Sequence, residues 1–250
     1  MKIIILAAGY ATRLYPLTLT RPKPLLSVAG KPMIEYVLDN LAPIGGIERV
    51  YVVTNAKFAG QFQQWADGYR GAHPEAHLDF TIVNDGSTDD SNKLGAIGDM
   101  HFVLTHQDVD DDIIMVAGDN LFDRSLEDFG RFSRQKNAPV LAVYDVGNLD
   151  EIRKYNAITL DGEGRITFFE EKPKQPSSTV TGIALYHYPR HILPLIKQYV
   201  AEGNNPDQPG RLVQWLYPRV PFYTWQVSGI WFDIGAKEAL EEANRIFAKL

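Results

Sequence analysis

Short, uninterrupted apolar runs mark the first half of the chain, and most stop at a small or polar residue. Ile3–Ala7 is continuous and β-branched, the pattern of a strand buried on both faces. Arg49–Asn55 ("RVYVVTN"), Leu78–Asp85 ("LDFTIVND"), Asp112–Asn120 ("DIIMVAGDN") and Ala138–Val146 ("APVLAVYDV") repeat it. Between them the period changes. From Met33 to Ile44, Ile34, Val37, Leu38 and Leu41 form one helical stripe, and Lys57–Tyr69 predicts a second helix. Strands alternating with helices over about the first 145 residues predict an α/β fold, a Rossmann-like doubly wound mixed sheet in three α/β/α layers.

The texture changes from about Tyr155. Asn156–Pro173 reads as a hairpin turning at "DGEG", Thr179–Pro189 as a strand and His191–Gly203 as a helix. Val220–Gly235 predicts a strand pair and Lys237–Leu250 a closing amphipathic helix. Glu202–Arg211 ("EGNNPDQPGR") predicts a surface loop. We expect one domain over 1–250. In it, 1–145 would bind one ligand and 146–250 would form a small β-rich lobe for another.

Composition narrows the class. The 250 residues carry a net charge of -6, which disfavours nucleic acid as partner but leaves room for a local cationic site. There is no cysteine, so disulfides and thiol chemistry are excluded. The N-terminal apolar run is too short to span a membrane and lacks the shape of a signal peptide, so a cytoplasmic protein without a membrane partner is expected.

In doubly wound sheets ligands bind at the carboxyl ends of strands. The polar strand ends are therefore the candidates: Gly9 to Arg13, Asn55, Asn84–Asp85 and Asp119–Asn120. A small-residue turn after the first strand lets backbone N–H groups approach a phosphate. The segment "TLTRPKPLLSVAGKPMIEY" adds Arg21, Lys23 and Lys31. Pro22 and Pro24 hold Lys23 in a stiff, extended arm. The six histidines are scattered, so zinc is not indicated.

The stretch "LAAGYATRLYPLT", followed by "RPKPLL", resembles the signature of the sugar-phosphate nucleotidylyltransferases, of which the glucose-1-phosphate thymidylyl- and uridylyltransferases are the best known. "VAGDN", "FEEKP", "TGIALY" and "WFDIG" follow in the order that the family has them, so the resemblance runs from Met1 to about Gly235. It departs at Ala11, where the family usually has glycine.

The resemblance implies transfer of a nucleotidyl group from an NTP to a sugar 1-phosphate, with Mg²⁺ as cofactor, on the way to an NDP-sugar for cell-surface polysaccharide. It implies Arg13 and Lys23 as catalytic cations and Asp119 and Asp233 as metal ligands. Leu6, Ala8, Gly9, Asn84 and Gly95 would bind the nucleotide, and Asn120, Asn156, Glu171, Lys172 and Gly182 the sugar phosphate. The base-reading segment departs from the family, with a polar insert from Gly86 to Ser91 that reads as a flexible surface loop. UTP or dTTP leads and CTP stays open. Asn156 stands where relatives often carry glycine, a sign of an unusual acceptor.

Three other readings stay in play: a cytidylyltransferase for a non-sugar phosphate or phosphonate, a glycosyltransferase, and a non-catalytic nucleotide-sugar-binding regulator. The second would show Asp-x-Asp, and the third would have lost Arg13, Lys23 or an acidic ligand. Homo-oligomerisation is compatible with the sequence.

Overall fold

The first apolar run forms strand β1 (Lys2–Leu6), with Ile3, Ile4 and Ile5 fully buried. The computed structural model describes residues 1–74 and 78–250. After β1 come a short antiparallel pair, β2 (Ser27–Val28) and β3 (Lys31–Pro32), and helix α1 (Met33–Leu41). The expected stripe of α1 is buried, and Pro43 ends the helix in a 3₁₀ turn over Ala42–Ile44. Strand β4 (Arg49–Thr54), helix α2 (Ala59–Ala72) and strand β5 (Phe80–Asn84) follow. Strands β1, β4 and β5 pair in that order and in parallel, as continuous β-branched runs should.

Next come helix α3 (Ala96–His106), strand β6 (Ile113–Ala117), strand β7 (Asn120–Phe122), helix α4 (Glu127–Lys136) and strand β8 (Val140–Asp145). After a one-turn helix α5 (Leu149–Ile152) the chain makes β9 (Asn156–Leu160) and β10 (Ile166–Glu171), antiparallel partners around the expected turn. Strand β11 (Val180–Tyr188), helices α6 (Leu193–Ala201) and α7 (Pro209–Leu216), strands β12 (Tyr223–Gln226) and β13 (Trp231–Asp233) and helix α8 (Lys237–Phe247) complete the chain.

Two expectations change. The strand pair expected over Val220–Gly235 does not form: β12 runs parallel to β8, and β13 pairs antiparallel with β7. The loop expected over Glu202–Arg211 gives way to α7 at Pro209, because proline at a first helical position is pre-set for the helix.

The fold is α/β, and the chain forms two compact units that interleave along the sequence. The first unit holds Met1–Leu94, Val116–Asp128 and Ser228–Leu250. In it α8 closes an apolar cluster in which Ala243 and Phe247 meet Leu14, Leu26, Val28, Met33, Leu121 and Ile234. Each large side chain buried this way contributes about 1.5–3 kcal/mol. The second unit holds Gly95–Met115 and Phe129–Val227, with β11 antiparallel to β8 and β12 parallel to it. No described helix is long and apolar enough to cross a membrane.

Ala11 occupies the left-handed region, at φ 48 and ψ 46. That conformation costs an L-residue about 1–2 kcal/mol. Two effects offset it: the methyl packs against the Leu14–Phe247 cluster, and alanine loses less chain entropy than glycine on folding. Ala11→Gly is therefore expected to shift stability by less than about 1 kcal/mol. Ala11→Val, β-branched at positive φ, should destabilise by about 2 kcal/mol. Denaturant unfolding checks this, and a valine variant as stable as the parent would contradict it.

His187 on β11 is buried, and that burial pushes its pKa down to about 4 from the usual 6.5, against an opposing pull from Asp112. An unfolded chain takes up this proton first as pH falls below 6.5, so stability should drop between about pH 6.5 and 4. The slope from this one group reaches about 1.4 kcal/mol per pH unit. His187→Phe should flatten the profile in that window when unfolding midpoints are compared, and an unchanged slope would contradict the assignment.

Candidate active site

The first unit holds nine of the expected residues, and among them it brings the side chains of Lys23, Asp119 and Asp233 together. Leu6 ends β1, and its carbonyl accepts from Gly118 N–H at 3.0 Å, so the end of β6 lies beside the end of β1. Ala7 N–H donates to Val53 O at 2.9 Å, and Ala8 is buried. Gly9 is exposed, with open space where a Cβ would stand. Thr12–Leu14 then form a 3₁₀ turn capped at Ala11, whose carbonyl accepts from Leu14 N–H at 3.0 Å and Thr18 Oγ1 at 2.8 Å. This places Arg13 in solvent beside Gly235, where a methyl would stand 3.8 Å from Arg13 Nη1. Among the described residues Arg13 has no ion-pair partner.

Lys23 begins a 3₁₀ turn after extended Pro22. Gly118 is why the arm can come close: a Cβ there would stand 3.1 Å from both Ile5 and Pro24. The Lys23 ammonium pairs with Asp119 Oδ2 and lies 3.9 Å from Asp233 Oδ1. The two carboxylates converge because β7 and β13 are neighbours, with Asp233 opposite Asn120. Asn120 is buried and accepts from Trp231 Nε1 at 3.2 Å, so its side chain braces this ribbon. Burial raises the Asp233 pKa, Asp119 raises it further, and Lys23 and Arg13 oppose the shift. A second negative charge is therefore costly here, and a cation relieves it.

Asn84 ends β5 exposed, and its Oδ1 accepts from Gly86 N–H at 2.9 Å. The Gly86–Ser91 insert, expected as a flexible surface loop, lies in no helix or strand and is exposed except at Ser87, which is buried and whose N–H and Oγ both donate to Asp85 Oδ1 at 2.7 Å.

The other expected residues belong to the second unit. Gly95 caps α3 at φ 82, and a Cβ would come within 2.5 Å of Asp207 Cα, so only glycine fits. Asn156 and Gly182 hold each other: Gly182 N–H donates to Asn156 Oδ1 at 2.7 Å, and Asn156 Nδ2 donates to Gly182 O at 3.1 Å. Both backbone groups of Gly182 are thereby engaged. Glu171, at the end of β10, is half-buried, and desolvation raises its pKa against Lys172 and Arg211. Its carboxylate fills the place that a side chain at Gly210 would take. Lys172, at φ 50, donates its N–H to Tyr155 O at 2.7 Å and projects an exposed side chain.

No group of three or more His, Asp or Glu side chains able to hold a metal occurs among the described residues. The pair Asp119 and Asp233 does fit Mg²⁺, which takes one or two protein carboxylates and fills its remaining positions with phosphate oxygens and water. Gly118 stands inside the "VAGDN" motif, but its spacing role is not readable from the motif, and Gly210 stands in no motif. Asn55, noted only as a polar strand end, is fully buried and donates to Ala8 O at 2.8 Å.

The profile of the family "Nucleotidyl transferase" matches residues 2–249. The chain is 26% identical to the bifunctional protein GlmU of Methanocaldococcus jannaschii over 98% of its own length and 54% of that protein's. It is 30% identical to the UTP–glucose-1-phosphate uridylyltransferase AglF of Haloferax volcanii, over 75% of this chain and 72% of that one. It thus spans little more than half of the first relative and under three quarters of the second. A crystal structure of a putative glucose-1-phosphate thymidylyltransferase from Bacillus anthracis, in complex with sucrose, shares the fold with a TM-score of 0.84 and 24% identity, covering 100% of this chain and 96% of that one. A signature loop at β1, a lysine arm against two strand-end carboxylates and a profile match along nearly the whole sequence agree: the chain belongs to the nucleotidyl transferase family, among the sugar-phosphate nucleotidylyltransferases.

Proposed function

We propose that the protein transfers a nucleotidyl group from UTP or dTTP to a sugar 1-phosphate, in the cytoplasm and with Mg²⁺. The observation that carries this reading is the Lys23 ammonium between Asp119 and Asp233, next to an unpaired Arg13 at the mouth of β1. AglF, named for UTP and glucose 1-phosphate, supports the base and the acceptor class.

An oxygen of the sugar phosphate attacks the α-phosphorus of the NTP. A new P–O bond forms, the bond to the β-phosphate breaks, and pyrophosphate leaves with the electron pair. The nucleophile is already an anion, so the protein needs no strong base; it needs cations that hold two anions together. Lys23 neutralises the α-phosphate, and Arg13 meets the triphosphate and the departing pyrophosphate. Backbone at Leu6, Ala8 and Gly9 and the strand end at Asn84 hold the nucleotide.

Lys172 binds the phosphate of the acceptor. Glu171, Asn156 and Gly182 shape its sugar site, with Asn120 bracing the ribbon that carries the carboxylates. Asp119 and Asp233 would hold Mg²⁺, which when bound supplies positive charge to the phosphate oxygens. An NDP-sugar for cell-surface polysaccharide fits this product.

Pyrophosphate release tests the reading, with the five common NTPs crossed against a panel of sugar 1-phosphates. Release with UTP or dTTP, abolished by a chelator, is expected. Arg13→Ala and Lys23→Ala should each lower kcat/KM by about 10²–10³-fold while the protein stays folded. No release with any pair, or near-parental turnover of Lys23→Ala, would overturn it.

A further inference from the structure

Asn55 is a polar side chain with no exposed surface, placed just beyond the end of β4. Its amide does two jobs. Nδ2 donates to Ala8 O at 2.8 Å, and Oδ1 accepts from Phe58 N–H at 3.2 Å, on the way into α2. The same strand end reaches the next loop, because Asp85 N–H donates to Thr54 O and Ala56 N–H to Ser87 O, both at 2.9 Å. Residues 54–56 therefore tie the turn after β1 to the turn after β5.

The Ala8 contact has a consequence for Gly9. The Ala8–Gly9 peptide is trans, since among the described residues the cis bond is Tyr15–Pro16. In a trans peptide the C=O and the following N–H point in opposite directions. With Ala8 O held inward by Asn55, Gly9 N–H is aimed outward, where the space beside Gly9 is open. Among the described residues no protein group accepts from Gly9 N–H.

Glycine also makes this peptide easy to rotate, because it tolerates both signs of φ. Nothing in Gly9 itself stops the peptide from turning over and presenting a carbonyl where the N–H should be. The buried amide of Asn55 supplies the constraint. Aspartate at the same place keeps the acceptor for Phe58 N–H but has no donor for Ala8 O.

We infer that Asn55 is a positioning residue for the nucleotide: it fixes the Ala8–Gly9 peptide so that Gly9 N–H points at the NTP phosphates. The inference rests on the proposed reading that the turn after β1 binds the NTP, and it names the residue that sets that turn's polarity.

The test measures NTP binding and steady-state kinetics of the full chain, with UTP and dTTP as probes. Asn55→Asp should raise the NTP Kd and KM by about tenfold or more, the scale of a lost donor facing a buried acceptor. KM for the sugar 1-phosphate should stay within about twofold. Phe58→Leu loosens the same segment without touching the Ala8 bond. It should lower thermal stability and leave both KM values within about twofold. Should Asn55→Asp fail to fold, Asn55→Ser, too short to reach Ala8 O, serves in its place with the same expected rise.

A folded Asp or Ser variant with parental NTP affinity would overturn the inference, as would an equal rise in NTP KM for Phe58→Leu. If Arg13→Ala weakens NTP binding and Asn55→Asp does not, this inference fails and the reading of the turn stands. If the parent protein binds no NTP, the reading itself fails.

Discussion

Two carboxylates at neighbouring strand ends cannot share a partly buried place without a cation. Asp119 and Asp233 are brought together by the β7–β13 ribbon, and the Lys23 ammonium lies against both. The raised pKa of Asp233, caused by burial and then by Asp119, shows the strain that Lys23 and Arg13 relieve. Much of the first unit serves this contact. Pro22 and Pro24 stiffen the arm, Gly118 lets it approach β1, and α8 clamps Leu26 and Val28 just beyond it. In the proposed reaction the same cations turn to phosphate, and the carboxylates are left for a metal.

A second constraint governs the turn after β1. Gly9 N–H faces open space, while three carbonyls at or beside the turn are engaged: Leu6 O by Gly118, Ala8 O by Asn55, and Ala11 O by Leu14 and Thr18. Holding the Ala8 carbonyl inward leaves the Gly9 donor facing outward, which is what an anion needs. Ala11 fits this scheme because its left-handed conformation is the one that bends the chain into the Arg13 turn.

The parallel strands and α1 were legible because their apolar patterns are local and uninterrupted. Helix α4 was not, since in "EDFGRFSRQK" few side chains reach the core, chiefly Phe129. Helix α3 follows a polar insert that reads as loop, and α7 hides behind Pro209–Gly210. The partners of β12 and β13 could not be read either. Adjacency in sequence suggested a pair, but β12 adds to β8 and β13 returns to β7, and such long-range pairing leaves no mark on the local pattern.

At the site the charged residues were legible through their motifs. Asn55 was visible as a polar strand end and Gly118 inside a motif, but what they do was not, and Gly210 was not visible at all, because a glycine or asparagine shows its purpose only once its neighbours are known.

The central claim is that Lys23 and the Asp119–Asp233 pair act as one unit. A double-mutant cycle on the kcat/KM of pyrophosphate release tests it most directly, using Lys23→Met, Asp119→Asn and the two combined. Groups that act together lose most of their effect with the first substitution. The account predicts that the double variant falls within about tenfold of the weaker single variant. Losses that multiply, each single factor appearing in full in the double, would contradict it.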